Sequence, residues 1–277
     1  VDFHHNLFLY FSTVEKPIGI FDSGIGGLTV AKAVSKILPN ERFIYFGDTA
    51  HLPYGDKSKE AIQRYSKAIT KFLLANNCKA IVIACNTASA VSYKYLRDKY
   101  QGTIPIINVI DPIIEEVVRF GDHKKVGLIA TRTTVASGVY QEKMSRRNPL
   151  VEMAVLPTPL LAPMIEEGFS KDKISKSVIE NYLSNPIFEG IDGLILGCTH
   201  YVLIKEEINE FFNGRIKLYD STDIVALKMK QIFEKEEMLC DSKQGVNHFY
   251  VSDITEGFQD STLRFYGDNL KLELLKL

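Results

Sequence analysis

Tryptophan is absent from the 277 residues, and cysteine is scarce at four. Neither sign of charge dominates: 33 Lys+Arg stand against 34 Asp+Glu, a formal charge of −1 with His neutral. Each shortage excludes something. Without a basic block or stripe, the chain lacks the footprint of a phosphate-tracking nucleic-acid binder, so nucleic acid is not an expected partner. Its apolar runs, such as residues 80–85 and 194–196, fall far short of the roughly 18–20 residues that cross a bilayer, so no membrane span is expected. Cys78, Cys85, Cys198 and Cys240 are too widely separated to be a disulfide framework and point to a reducing, cytoplasmic setting. Residues 1–16 have no basic stretch and no small-residue cleavage site, so they read as a short extension and not as a signal peptide. What remains is a globular composition, 45% hydrophobic and 24% charged, long enough for one large domain or two smaller ones.

From Pro17 onward short apolar runs alternate with longer periodic segments, the pattern of parallel strands joined by helices. Residues 18–21, 43–46, 80–84, 106–109, 126–129, 151–156 and 193–196 read as strands buried on both faces. Residues 28–38, 59–75, 88–100, 111–120, 137–147, 172–183, 204–212 and 224–236 read as helices. Start signals stand at Ser58, at Asp111-Pro112 and at Ser221-Thr222-Asp223. The expected class is therefore α/β. A weak repeat runs through it. Gly19-Ile20-Phe21-Asp22-Ser23 and Gly127-Leu128-Ile129-Ala130-Thr131 each close a strand, and at nearly equal distances beyond them come Cys85-Asn86-Thr87 and Cys198-Thr199-His200. Two units of like order suggest duplicated α/β halves with the two cysteines in equivalent places.

Ligands of open α/β folds sit beyond the carboxyl ends of the strands, where Cys85 and Cys198 both fall. A helix N-terminus stabilises negative charge and turns a thiol from inert core filler towards a usable base or nucleophile. Cys78 and Cys240, without polar company, read as core residues. Asp22 emerges from an apolar strand into the Gly-rich turn Ser23-Gly24-Ile25-Gly26-Gly27. That turn lacks the third Gly of a dinucleotide fingerprint and any Gly-Lys-Ser/Thr, and it suits the charged groups of an amino acid better than a phosphate. Asp48-Thr49, Pro53-Tyr54-Gly55 and His200 are further polar groups at strand ends. Cys198 and His200 could be half of a metal site, but no local second pair completes one. They could also form a nucleophilic dyad, which leaves Cys85 without a task. Two thiols facing one cleft suit inversion of a stereocentre with an acidic C–H, which needs a base on one face and an acid on the other. Asp22 beside Cys85 and His200 beside Cys198 are the natural helpers.

The blocks Asp22-Ser23-Gly24-Ile25-Gly26-Gly27-Leu28-Thr29-Val30, Asp48-Thr49-Ala50 with Pro53-Tyr54-Gly55, Ala84-Cys85-Asn86-Thr87-Ala88-Ser89-Ala90 and Leu196-Gly197-Cys198-Thr199-His200-Tyr201 together resemble the glutamate racemase family of the aspartate/glutamate racemase superfamily. The resemblance runs from about Pro17 to at least Ala226. It implies cofactor-independent, metal-free interconversion of L- and D-glutamate, the D form feeding peptidoglycan synthesis, in a cytoplasmic homodimer. It implies two pseudo-symmetric domains with the active site between them: residues 17–108 with 222–277, and residues 109–221. Carried over by position, Cys85 is implied as the base for D-glutamate and Cys198 for L-glutamate, with Asp22 and His200 as helpers and Asp48 and Glu166 as further catalytic carboxylates. Ser23, Asn86, Thr87 and Thr199 are implied to hold the ammonium and α-carboxylate, and Pro53-Tyr54-Gly55 to receive the side-chain carboxylate. His51, Val202 and Asn108 with Asp111 depart from the usual residues without removing an acid–base group. A racemase for another acidic amino acid, a non-catalytic binder of acidic metabolites and a Cys198–His200 hydrolase remain as alternatives.

Overall fold

The computed structural model describes residues 14–120, 122–242, 245–254, 258–268 and 270–277. Most of the expected N-terminal extension, residues 1–13, lies outside them. The apolar runs become β1 (Ile18–Asp22), β2 (Phe43–Gly47), β3 (Ala80–Ile83), β4 (Ile106–Asn108), β5 (Lys125–Ala130), β6 (Glu152–Pro157) and β7 (Gly193–Gly197). Three short strands follow that were not expected: β8 (Lys217–Tyr219), β9 (His248–Val251) and β10 (Leu272–Leu274). They form two sheets, ordered β10-β9-β2-β1-β3-β4 and β6-β5-β7-β8. Every pairing among the described residues is parallel. The orders β2-β1-β3-β4 and β6-β5-β7-β8 are the same arrangement twice, so β3 and β7, the strands that lead into Cys85 and Cys198, are counterparts.

Register then decides which residues share an edge. Asp22 pairs with Gly47 and Phe21 with Ile83, so Asp22, Asp48 and Cys85 leave the first sheet side by side. Ala130 pairs with both Pro157 and Gly197, so Thr131, Thr158 and Cys198 leave the second in the same way. One apolar core runs from Ile18, Ile20 and Val82 through Ile113, Ile114 and Val225 to Val126, Leu128 and Ile195, joining the two sheets. A second core covers the other face of the first sheet with Phe21, Ile81, Ile83, Ile62 and Leu73. With apolar residues on both faces, the central strands need the two-sided burial that parallel sheets require.

Helix starts follow the expected signals with small shifts. Ser58 caps the helix Lys59–Ala75, its hydroxyl accepting from the Ala61 N–H at 3.2 Å. The helix expected from Asp111 begins at Ile110, because the Asn108 side-chain oxygen accepts from the N–H groups of both Ile110 and Asp111 at 2.9 Å. The helix expected from residue 88 spans Asn86–Lys99, directly after Cys85. Short helices at Arg132–Ala136 and Leu161–Glu166 and a longer one at Phe258–Tyr266 were not expected. Cys78 and Cys240 are both buried; Cys78 packs in the second apolar core as expected, whereas Cys240 stands in polar company that the sequence did not suggest. Cys240 adjoins a buried ion pair in which Lys79 Nζ lies 2.7 Å from Glu41 Oε2, and the same ammonium donates to the carbonyls of Val14 and Met238. No helix among the described residues is long and apolar enough to cross a membrane.

Candidate active site

Cys85 follows β3 and is the N-cap of the helix Asn86–Lys99, its sulfur accepting from the Ala88 N–H at 3.4 Å. Its thiol also lies 3.5 Å from the Ser23 hydroxyl, and the residue is 6% exposed. Burial pushes the thiol up to about 12, helped by the negative charges of Asp22 and Cys198 and opposed by the Ala88 and Ser23 hydrogen bonds. Asp22 is fully buried, which raises its carboxyl above the usual range, while His200 and the N–H groups of Gly27, Gly24 and Ser23 pull it back. Its Oδ2 accepts from the Gly24 N–H at 3.0 Å. Its Oδ1 is buried with no partner among the described residues.

Cys198, 8% exposed, stands at the matching place after β7. Its sulfur lies 3.5 Å from His200 Nδ1, and His200 Nε2 lies 2.8 Å from Glu166 Oε1. Burial disfavours charge on this imidazole, yet the Cys198 sulfur and the Glu166 carboxylate together raise it well above the ordinary histidine value. An imidazole set between a sulfur and a carboxylate is placed to pass a proton to or from that sulfur. Glu166, the last residue of the helix Leu161–Glu166, is therefore paired and not merely solvated.

The two edges meet. A Cβ at Gly26 would fall 2.4 Å from Thr199 Oγ1 and 2.5 Å from His200 Cε1, so the Gly-rich turn of the first sheet lies directly on the Cys198 arm. Gly55 abuts Thr131 in the same way, and its carbonyl accepts from the Thr133 hydroxyl at 2.8 Å. Thr87 Oγ1 lies 2.9 Å from Thr131 Oγ1 and 3.1 Å from Thr134 Oγ1, a triangle of hydroxyls built from both halves. Asn86 Nδ2 donates to the Tyr140 hydroxyl at 2.8 Å, while its Oδ1, like Asp22 Oδ1, is buried without a partner among the described residues.

Asp48 is placed differently from the other carboxylates. Its oxygens accept from the Tyr54 hydroxyl at 2.6 Å and the Ser252 hydroxyl at 2.9 Å, and His51 Nδ1 lies 2.8 Å away. The Tyr54 bond ties the loop Pro53-Tyr54-Gly55 to the end of β2, the Ser252 bond joins the ends of β2 and β9, and none of these bonds reaches a thiol. Tyr54 is buried, with its hydroxyl committed to Asp48. Sequence reading missed Thr131, Thr134 and Tyr140. The repeat carried a signal for the first of these, since aligning Ala130 with Asp22 sets Thr131 opposite Ser23.

The burial of Cys85 has a consequence for stability. An unfolded thiol ionises near its ordinary value of 9.0, whereas the folded one keeps its proton to about 12. The unfolded chain thus binds fewer protons across this window, and stability falls as pH rises from about 9 towards about 12, by up to ~4 kcal/mol at ~1.4 kcal/mol per pH step. Urea denaturation of Cys85→Ala through this range should show a visibly shallower decline than the parent chain.

Two parallel sheets that meet along their carboxyl edges, each bringing a buried thiol with its own ionisable neighbour, define a structural class of two-sheet α/β proteins. The chain belongs to the Asp/Glu/Hydantoin racemase family, which it matches over residues 28–229. It is 42% identical over 256 residues to the glutamate racemase of Geobacter metallireducens, covering 92% of this chain and 94% of that one. It is 40% identical over 265 residues to that of Neisseria meningitidis, covering 95% and 97%. The crystal structure of the Francisella tularensis glutamate racemase, in complex with D-glutamate, superposes with a TM-score of 0.89 at 38% identity over 95% of this chain and 98% of that one.

Proposed function

We propose that this chain interconverts L- and D-glutamate by moving a proton at Cα between Cys85 and Cys198. The observation that carries this reading is the pair of buried thiols at equivalent strand ends on two edges that touch, each with an ionisable partner of its own. In the L-to-D direction the Cys198 sulfur takes the α-proton. The electron pair left behind spreads into the α-carboxylate, and Cys85 delivers its proton to the opposite face. The reverse direction exchanges the roles, so no electron or atom is gained from a co-reactant. Asp22 sets the charge beside Cys85, and His200 with Glu166 sets it beside Cys198.

Asp22 Oδ1 and Asn86 Oδ1 are acceptors suited to an ammonium, because a buried acceptor left without a donor is costly. The Ser23, Thr87 and Thr199 hydroxyls suit the α-carboxylate. The loop Pro53-Tyr54-Gly55, held in place by Asp48, suits the side-chain carboxylate. The resemblance adds a cytoplasmic homodimer supplying D-glutamate for peptidoglycan. Proton NMR in D₂O tests the reading: the Cα signal of L-glutamate should disappear as D-glutamate forms. Binding without exchange at Cα would overturn it, and parallel assays of D-glutamate and D-aspartate formation decide the length of the substrate.

A further inference from the structure

The helix Phe258–Tyr266 lies in sequence between β9 and β10 of the first sheet, yet its last turn reaches the Cys198 arm of the second. Phe265, 2% exposed, meets the His200 ring edge-on, with centroids 5.1 Å apart and planes at 80°. Arg264 donates through Nη2 to the backbone carbonyl of Glu166 at 2.8 Å, and its Nη2 also lies 2.8 Å from Ser261 Oγ, which steadies the guanidinium. Gly168 has a φ of +84°, and a Cβ there would fall 2.6 Å from Arg264 Nη1. Only glycine satisfies both conditions. The next residue anchors the same turn: Tyr266 Oη lies 3.0 Å from Ser35 Oγ, on the helix Leu28–Ile37 that follows the Gly-rich turn.

We infer that Arg264 and Phe265 are positioning residues for proton transfer at Cys198: the phenyl ring fixes the plane of His200, and the guanidinium fixes the backbone that carries Glu166. This rests on the reading that Cys198, His200 and Glu166 act together. A ring held at Nε2 by a carboxylate can still tip about that bond, and tipping would carry Nδ1 away from the sulfur 3.5 Å distant. Edge-on packing removes that freedom, and the Arg264 bond keeps the helix end that bears Glu166 from sliding. Because the clamp comes from the first sheet and the arm from the second, the arm is aligned only while the two halves are together.

The test uses Phe265→Leu and Arg264→Gln in the full chain, the latter at an exposed position where folding is not at risk. Each should lower kcat by roughly 10- to 100-fold, as expected of a small misplacement of a reacting group, with KM for glutamate changing by less than about threefold. The decisive readout is one-sided. Elimination of HX from a β-substituted glutamate analogue needs a single base, so the L-configured analogue should slow while the D-configured one, served by Cys85, should not. The isotope effect from α-deuterated L-glutamate should rise above that from the D form. If both analogues slow equally, or if KM alone moves, the inference is overturned. If the parent chain fails to exchange the Cα proton, or Cys198→Ala keeps its turnover, the underlying two-thiol reading fails and this inference with it.

Discussion

Cys198→Ala should lower racemisation by about 10²- to 10⁴-fold in both directions, the range supplied by a positioned acid or base, and Cys85→Ala should do the same. Both directions must fall together because each thiol is the base one way and the acid the other. The partial reactions separate the two variants. Cys198→Ala retains the base for the D-configured elimination analogue, and Cys85→Ala retains the base for the L-configured one. Polarimetry or a coupled D-glutamate assay gives the first result, and halide release gives the second. Near-parental turnover of either variant in both directions would end the two-thiol account. A folding control is needed for Cys85→Ala, because its sulfur also caps the Ala88 N–H, and losing a cap costs about 1 kcal/mol.

Gly26→Ala should be almost as damaging, although it adds only a methyl group. That methyl would stand 2.4 Å from Thr199 Oγ1, 2.5 Å from His200 Cε1 and 2.6 Å from His200 Nδ1. Both neighbours are buried, so neither can swing into solvent. Relief has to come from moving His200, and with it the contacts to Cys198 and Glu166, or from parting the two sheet edges. We expect a fall of about 10²-fold in kcat with a stability loss of about 1–3 kcal/mol from overpacking. Steady-state kinetics beside thermal denaturation separates the two effects. A variant that retained parental kcat would mean that the Gly-rich turn does not bear on the Cys198 arm.

The central strands and both catalytic candidates are legible in the sequence because each strand is a short, wholly apolar run that stops at a small polar residue. Repetition of that signature alone places Cys85 and Cys198 in equivalent positions. β8 and β10 escaped because Lys217 and Glu273 break up their apolar residues, and β9 because only alternate residues of the strand are buried. The helix Arg132–Ala136 is too short for periodicity to register, yet its cap Thr131 carries part of the hydroxyl triangle. Asp48 shows the limit of reading carboxylates from strand ends. Its position is as expected, but its oxygens are taken up by Tyr54, Ser252 and His51, and only the folded loop reveals that. The Arg264 and Phe265 contacts join positions far apart in the chain, and nothing local to residue 200 announces them.

The strand order also schedules the making of the protein. The second sheet is contiguous from β5 to β8, so it can close as soon as residue 219 has left the ribosome. The first sheet cannot. β2 is a margin from residue 47 onward until β9 arrives at residues 248–251, a wait of roughly 10–40 s at ~5–20 residues per second. Through that interval the nascent chain presents an open parallel edge of Phe43-Ile44-Tyr45-Phe46, the kind of template on which other chains add. The margin of β2 is thus covered by a strand that lies some two hundred residues later in the chain.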